Sequence, residues 1–157
     1  MTYKYLSHRL IQFCIDSECS ELALVDNCTS SSDANSGWDC HKVYSGPEDR
    51  EWEIRGSDNM SPWIKLILKN EYYLHQLMVK PSTNPDNRFS QIDIEFSNGT
   101  SIRKLDLANQ EDWIPIVPPN GTLSRYVKII RRKSRGPTER GAIAKIRVFG
   151  CLPGTLS

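Results

Sequence analysis

Residues Trp63 to Lys80 read WIKLILKNEYYLHQLMVK, two apolar segments parted by the polar break Lys69-Asn70-Glu71. With period two, Trp63, Lys65 and Ile67 alternate against Ile64, Leu66 and Leu68. Past the break, Leu74, Gln76 and Met78 alternate against His75, Leu77 and Val79. The stretch predicts two consecutive strands. The first carries bulky apolar side chains on both faces, which suits the inside of a sandwich better than a solvated edge, with Lys65 as the limit of that inference.

The chain repeats this theme in both directions. Upstream, Glu21 to Cys28 reads as a strand that runs into the small polar loop Thr29 to Gly37, after which Trp38, Cys40 and Val43 return toward the core. A turn at Ser45-Gly46-Pro47 precedes a short alternating strand, with Trp52 and Ile54 on one face and Glu51, Glu53 and Arg55 on the other. Downstream, Pro81 to Arg88 is a polar turn-rich loop, and Gln91 to Phe96 is a strand with Ile92, Ile94 and Phe96 inward. Asn98-Gly99 then predicts a type I′ hairpin, because these two residues readily take positive φ. Ile102 to Leu107 returns, Trp113 to Val117 is an edge strand because of Pro115, and Ser124 to Arg132 and Ala142 to Phe149 flank the basic loop Lys133 to Gly141. Short strands with turns between and no βα alternation predict an all-β sandwich or jelly roll.

The chain has 157 residues, 38% hydrophobic and 25% charged, which fits one domain with a sizeable core. Residues 1–19 read as a strap or short helix, 20–151 as the sandwich and 152–157 as a flexible tail. A net charge of +1 argues against nucleic acid as a partner, although from Arg125 to Arg147 nearly all the charges are cations. No run reaches the roughly 20 apolar residues of a membrane span, and the polar start MTYKYLSHRLIQFC does not suit a signal peptide. Against that, five cysteines (Cys14, Cys19, Cys28, Cys40 and Cys151) and the sequons at Asn27, Asn98 and Asn120 lean toward secretion, although turns also account for the last two sequons. Buried reduced thiols in a cytoplasmic domain are the alternative.

The order of pieces resembles the discoidin, or coagulation factor V/VIII type C, domain among the galactose-binding-like jelly rolls. The pieces are Ser30 to Ser32, Val43 to Gly46 followed by Glu51-Trp52, Pro62 to Leu66, Ile92 to Gly99, Trp113, Arg125 to Ile129 and Ala142 to Gly150. The resemblance implies a non-catalytic binding module whose ligand, a glycan or other anionic group, docks on loops at one end of the sandwich. Those loops fall at Asp33 to Trp38, Lys80 to Arg88 and Arg132 to Arg140. The candidate ligand-binding residues are Trp38, Lys80, Asn84, Asn87, Arg88, Arg132 and Arg135, which offer an aromatic face, amides that both donate and accept, and cations suited to an acidic glycan. The alternative partner is a protein surface, as in the related jelly-roll subunit of the anaphase-promoting complex.

Many such domains hold a calcium ion through an Asp before the loop glycine and a Glu in the last strand. Those positions are Ser45 and Lys145 here, so no metal is expected, and Lys145 is expected to pair with Glu48 or Asp49. The resemblance also implies a disulfide between Cys19 and Cys151. Cys28 and Cys40 flank the first long loop and form a second candidate pair, which leaves Cys14 over. Trp52 and Trp63 read as core anchors, Trp113 as core on its edge strand, and Trp38 as a stacking platform. His8, His41 and His75 are isolated, with His75 half-buried in its strand, and neither a catalytic arrangement nor a cofactor motif is present.

Overall fold

The computed structural model describes residues 21–32, 37–47, 49–55, 61–137 and 140–154. The strap or helix expected over 1–19 lies outside them. Nine strands are described: β1 (Glu21–Leu22), β2 (Val25–Ser30), β3 (Trp52–Arg55), β4 (Trp63–Pro81), β5 (Phe89–Phe96), β6 (Ser101–Asp106), β7 (Ile114–Ile116), β8 (Leu123–Ser134) and β9 (Arg140–Cys151). Every pairing is antiparallel. One layer runs β2-β4-β8-β5-β6, and the other places β1 and β3 beside β9, then β4, then β7.

β4 belongs to both layers. The two strands expected from Trp63 to Lys80 are one continuous strand, because backbone pairing carries on through the polar break: Tyr72 and Tyr73 pair with β8, and Tyr73 also pairs with Cys151 of β9. Lys69, Asn70 and Glu71 are exposed where the strand changes partners. The crossing is tight enough that a Cβ at Gly150 would collide with the Tyr73 carbonyl oxygen.

The core between the layers holds Ile64, Leu66 and Leu68 of β4, Leu77 and Val79 further along it, Ile92, Ile94 and Phe96 of β5, Val127 and Ile129 of β8, and Ile146 and Val148 of β9. Trp52 is fully buried and meets Phe89 edge-on at a centroid distance of 6.3 Å. Trp63 differs from expectation. It lies half-exposed on the outer face, with the Lys128 ammonium 4.8 Å from its ring centroid, because alternation fixes which residues share a face but not which face is covered. Trp113 is likewise only half-buried.

His75 is also displaced from its expected place. A bulge between Leu74 and Gln76 resets the alternation, so Leu74 and Leu77 both point inward and His75 is exposed. The Asn98-Gly99 hairpin forms, but with another turn. Among the described non-glycine residues only Lys104 has positive φ, so Asn98 does not. The Gly99 amide donates to the Phe96 carbonyl (3.1 Å) with Gly99 at φ +88°, which makes Ser97 and Asn98 the central pair of a type I turn followed by a glycine bulge. The Asn98 side chain accepts from the Thr100 amide and hydroxyl and stabilises this alternative.

Candidate functional site

Both ends of β4 arrive at one end of the sandwich, and a chain of hydrogen bonds ties the loops there together. The Ser31 amide donates to the Trp63 carbonyl (2.9 Å), and Trp52 reaches through its indole Nε1 to the Ser32 carbonyl (3.2 Å). Glu51, next to Trp52, points to the opposite side and is buried against the loop after β4. Its Oε2 accepts from the Ser82 hydroxyl (2.8 Å), and its Oε1 accepts from the Thr83 amide (2.9 Å) and hydroxyl (3.1 Å). Charge-assisted bonds of this kind hold a loop better than neutral ones.

Ser82 is completely buried and is the pivot of the middle loop. Its hydroxyl accepts from the Asn84 amide (3.1 Å) and its carbonyl accepts from Arg88 Nε (2.8 Å). Asn84 caps the short 3-10 turn Pro85–Asn87 by accepting from the Asp86 amide (3.0 Å), while Asn87 is half-buried. Arg88 is only 7% exposed, and its other guanidinium arm donates to Asn109 Oδ1 (3.0 Å). It therefore ties the middle loop to the loop after β6 from behind.

The third loop joins at Arg135. Its amide donates to the Arg88 carbonyl (3.0 Å), its guanidinium donates to the Leu107 carbonyl (2.5 Å), and its side chain remains exposed. Beside it Gly136 packs so closely on Asp86 that a Cβ would strike the Asp86 carbonyl oxygen. In the first loop, Cys28 and Cys40 form the disulfide the sequence suggested, with Cα atoms 6.0 Å apart, closing the segment that leads to Trp38. Trp38 is half-buried under the Arg50 guanidinium, 5.6 Å from its ring centroid, and its carbonyl accepts from the Glu53 amide (3.0 Å). Residues 33–36 of this loop lie outside the described set. Cys151 is disulfide-bonded, and Cys19, its expected partner, is also outside the described set.

Trp38, Asn84, Asn87, Arg88 and Arg135 thus share this end of the sandwich. Lys80 stands at its margin, near the close of β4, where its ammonium lies 5.9 Å from the Trp113 ring centroid and Arg147 lies 4.6 Å from the same ring. Arg132 lies elsewhere. β8 runs on to Ser134, so Arg132 belongs to the strand rather than the loop, and its Nε donates to Asp93 Oδ2 (2.7 Å) on the outer face of the first layer. Arg103 (3.0 Å) and the Lys104 amide (2.7 Å) complete the shell of this buried carboxylate. Burial works to raise the Asp93 pKa, but the Lys104 amide and the two guanidiniums outweigh it and hold the carboxylate below its ordinary value. Sequence reading missed Glu51, Ser82, Arg50 and Asn109. Glu51 had the only usable signal, alternation opposite Trp52, and that pattern equally describes a solvent-facing residue.

No protein-family model matches the sequence, and no curated protein does either. Solved structures do match. A family 32 carbohydrate-binding module of NanJ from Clostridium perfringens, solved with galactose, superposes with a TM-score of 0.67 at 15% identity over 78% of this chain and 92% of that one. An F5/8 type C domain from Bacteroides fragilis gives 0.65 at 16% identity over 83% and 98%. The family 32 module of AlyQ, solved with 4,5-unsaturated mannuronic acid, gives 0.67 at 16% identity over 82% and 98%. The chain has the discoidin-like jelly-roll fold.

Within that fold the position expected to contribute a calcium-binding carboxylate from the last strand is Lys145. It is 8% exposed, and its ammonium donates to the carbonyls of Lys42 (2.6 Å), Pro47 (2.9 Å) and Arg50 (3.1 Å). These residues do not fit a divalent cation, because the point the carbonyls converge on already holds a positive charge. Of the two acids expected to pair with Lys145, Glu48 lies outside the described set, and the described partners of the ammonium are carbonyls of the same loop.

Proposed function

We propose that the chain is a non-catalytic glycan-recognition module that takes an acidic sugar at the joined loop end, with Trp38, Lys80, Asn84, Asn87 and Arg135 facing the ligand and Arg88 holding the middle loop from behind. The observation that carries this reading is Arg135. It is exposed, it stands where the middle and third loops meet, and its guanidinium bond goes to the neutral Leu107 carbonyl, which leaves its charge available to a carboxylate. The similar modules bound to galactose and to an unsaturated uronic acid support a sugar as the ligand class. In this reading Arg132, committed to Asp93, stands apart from the contact surface. The Cys28–Cys40 disulfide supports a place of work in an oxidising compartment.

Calorimetric titration with a short oligogalacturonate and with galactose tests the reading. The acidic sugar is expected to bind at least about tenfold tighter at low salt, with the advantage shrinking as salt rises. Arg135→Ala and Trp38→Ala are each expected to weaken binding by about tenfold or more. Equal affinity for both sugars would remove the acidic preference, and unchanged affinity in both variants would remove the site.

A further inference from the structure

We infer that Lys145 is a built-in cation, an ammonium supplied by the last strand that performs the loop-ordering work of a calcium ion and makes the loop end independent of any metal. Three carbonyls from Lys42, Pro47 and Arg50, spread along a single loop, turn inward onto one point. Carbonyl dipoles converging in this way repel one another unless a cation stands at their focus, and the three N–H donors of an ammonium match three acceptors. Lys145 arrives there from β9, where neighbouring Ala144 and Ile146 are buried in the core, so its stem is fixed and its head is delivered to the loop.

A second observation agrees. Ser45, at the loop position where a carboxylate would serve a metal, is exposed and turns its hydroxyl to the His41 carbonyl (2.8 Å), closing a local turn instead of facing the cradle. The consequence reaches the ligand end directly. The loop held by Lys145 ends in Arg50, which covers Trp38, and Glu51, which grips Ser82 and Thr83. A tethered ammonium cannot be withdrawn by a chelator, so the arrangement persists wherever calcium is scarce.

The test is thermal unfolding of the full chain in calcium chloride and in EDTA, for wild type, Lys145→Met and Lys145→Glu. Wild type is expected to unfold at the same temperature in both solutions. Lys145→Met, which keeps the stem and removes the charge, is expected to unfold about 5 °C lower or more. Lys145→Glu places a carboxylate among three carbonyls. It is expected to bind calcium with a Kd of about 0.1–1 mM and to gain several degrees from it. A melting temperature that falls in EDTA for wild type would overturn the inference, and so would a Lys145→Glu protein indifferent to calcium. If Lys145→Glu folds in neither solution, the wild-type and Lys145→Met arms decide: an unchanged melting temperature for Lys145→Met overturns the inference, and a lowered one beside a chelator-insensitive wild type upholds it.

Discussion

The outer face of the first layer and the loop end both carry cations, but they use them in opposite ways. On the sheet face the cations are answered by acids or rings: Arg103 and Arg132 by Asp93, Lys128 by Glu95 (3.7 Å) and the Trp63 ring, and Lys65 by the Tyr126 ring at 4.0 Å. At the loop end the named bonds of Arg88 and Arg135 go to neutral oxygens. Hydrogen bonds to neutral acceptors orient a cation without cancelling its charge. The named cations of the sheet face are therefore already matched, whereas the exposed Arg135 at the loop end keeps its charge available to a ligand.

Substitutions can break this contrast, the largest first. Lys145→Met should cost about 3 kcal/mol or more, because it leaves three converging carbonyls without the ammonium donor they share, as measured by urea denaturation. Asp93→Asn keeps an acceptor for the Lys104 amide but gives up the ionic part of its two arginine bonds. Those arginines are half in water, so the loss should be about 1–2 kcal/mol and should shrink in high salt. The same residue sets a pH dependence. Its folded pKa is depressed, so its contribution is fully present above the unfolded value near 3.9 and is lost as pH falls through the lower folded value. Denaturation midpoints taken from pH 5 downward should therefore drop more steeply for wild type than for Asp93→Asn. The smallest effect is Lys128→Ala, about 0.5–1 kcal/mol from a partly exposed cation–π and ion-pair contact. It should leave ligand affinity unchanged, and a loss of affinity there would blur the distinction between the two regions.

Much of the fold was legible in the sequence, for physical reasons that particular residues display. Ile92, Ile94 and Phe96 alternate and lie inward, and the turn formers Asn98-Gly99 and Pro118 to Gly121 fall where the chain reverses. β4 as a single strand was not legible, because Lys69-Asn70-Glu71 has the composition of a turn, and only pairing with two different partners carries the backbone through it. Nor could alternation anticipate the bulge that exposes His75.

The site was legible as a set of loops rather than as roles. A charged side chain in a polar loop reads as solvated, so the burial of Arg88 and Glu51 around Ser82 needed the structure. Lys145 was visible as a departure from the resembled pattern, but its three carbonyl partners lie about a hundred residues away in the chain and carry no side-chain signature.

The most direct test of the loop end as the recognition surface is an amide chemical-shift titration of the labelled full chain with an oligogalacturonate. The account predicts saturable shifts at Trp38, Thr83, Asn84, Asn87 and Arg135, with Lys65, Tyr126 and Lys128 unmoved. Shifts centred on that sheet face, with the loop amides still, would contradict it.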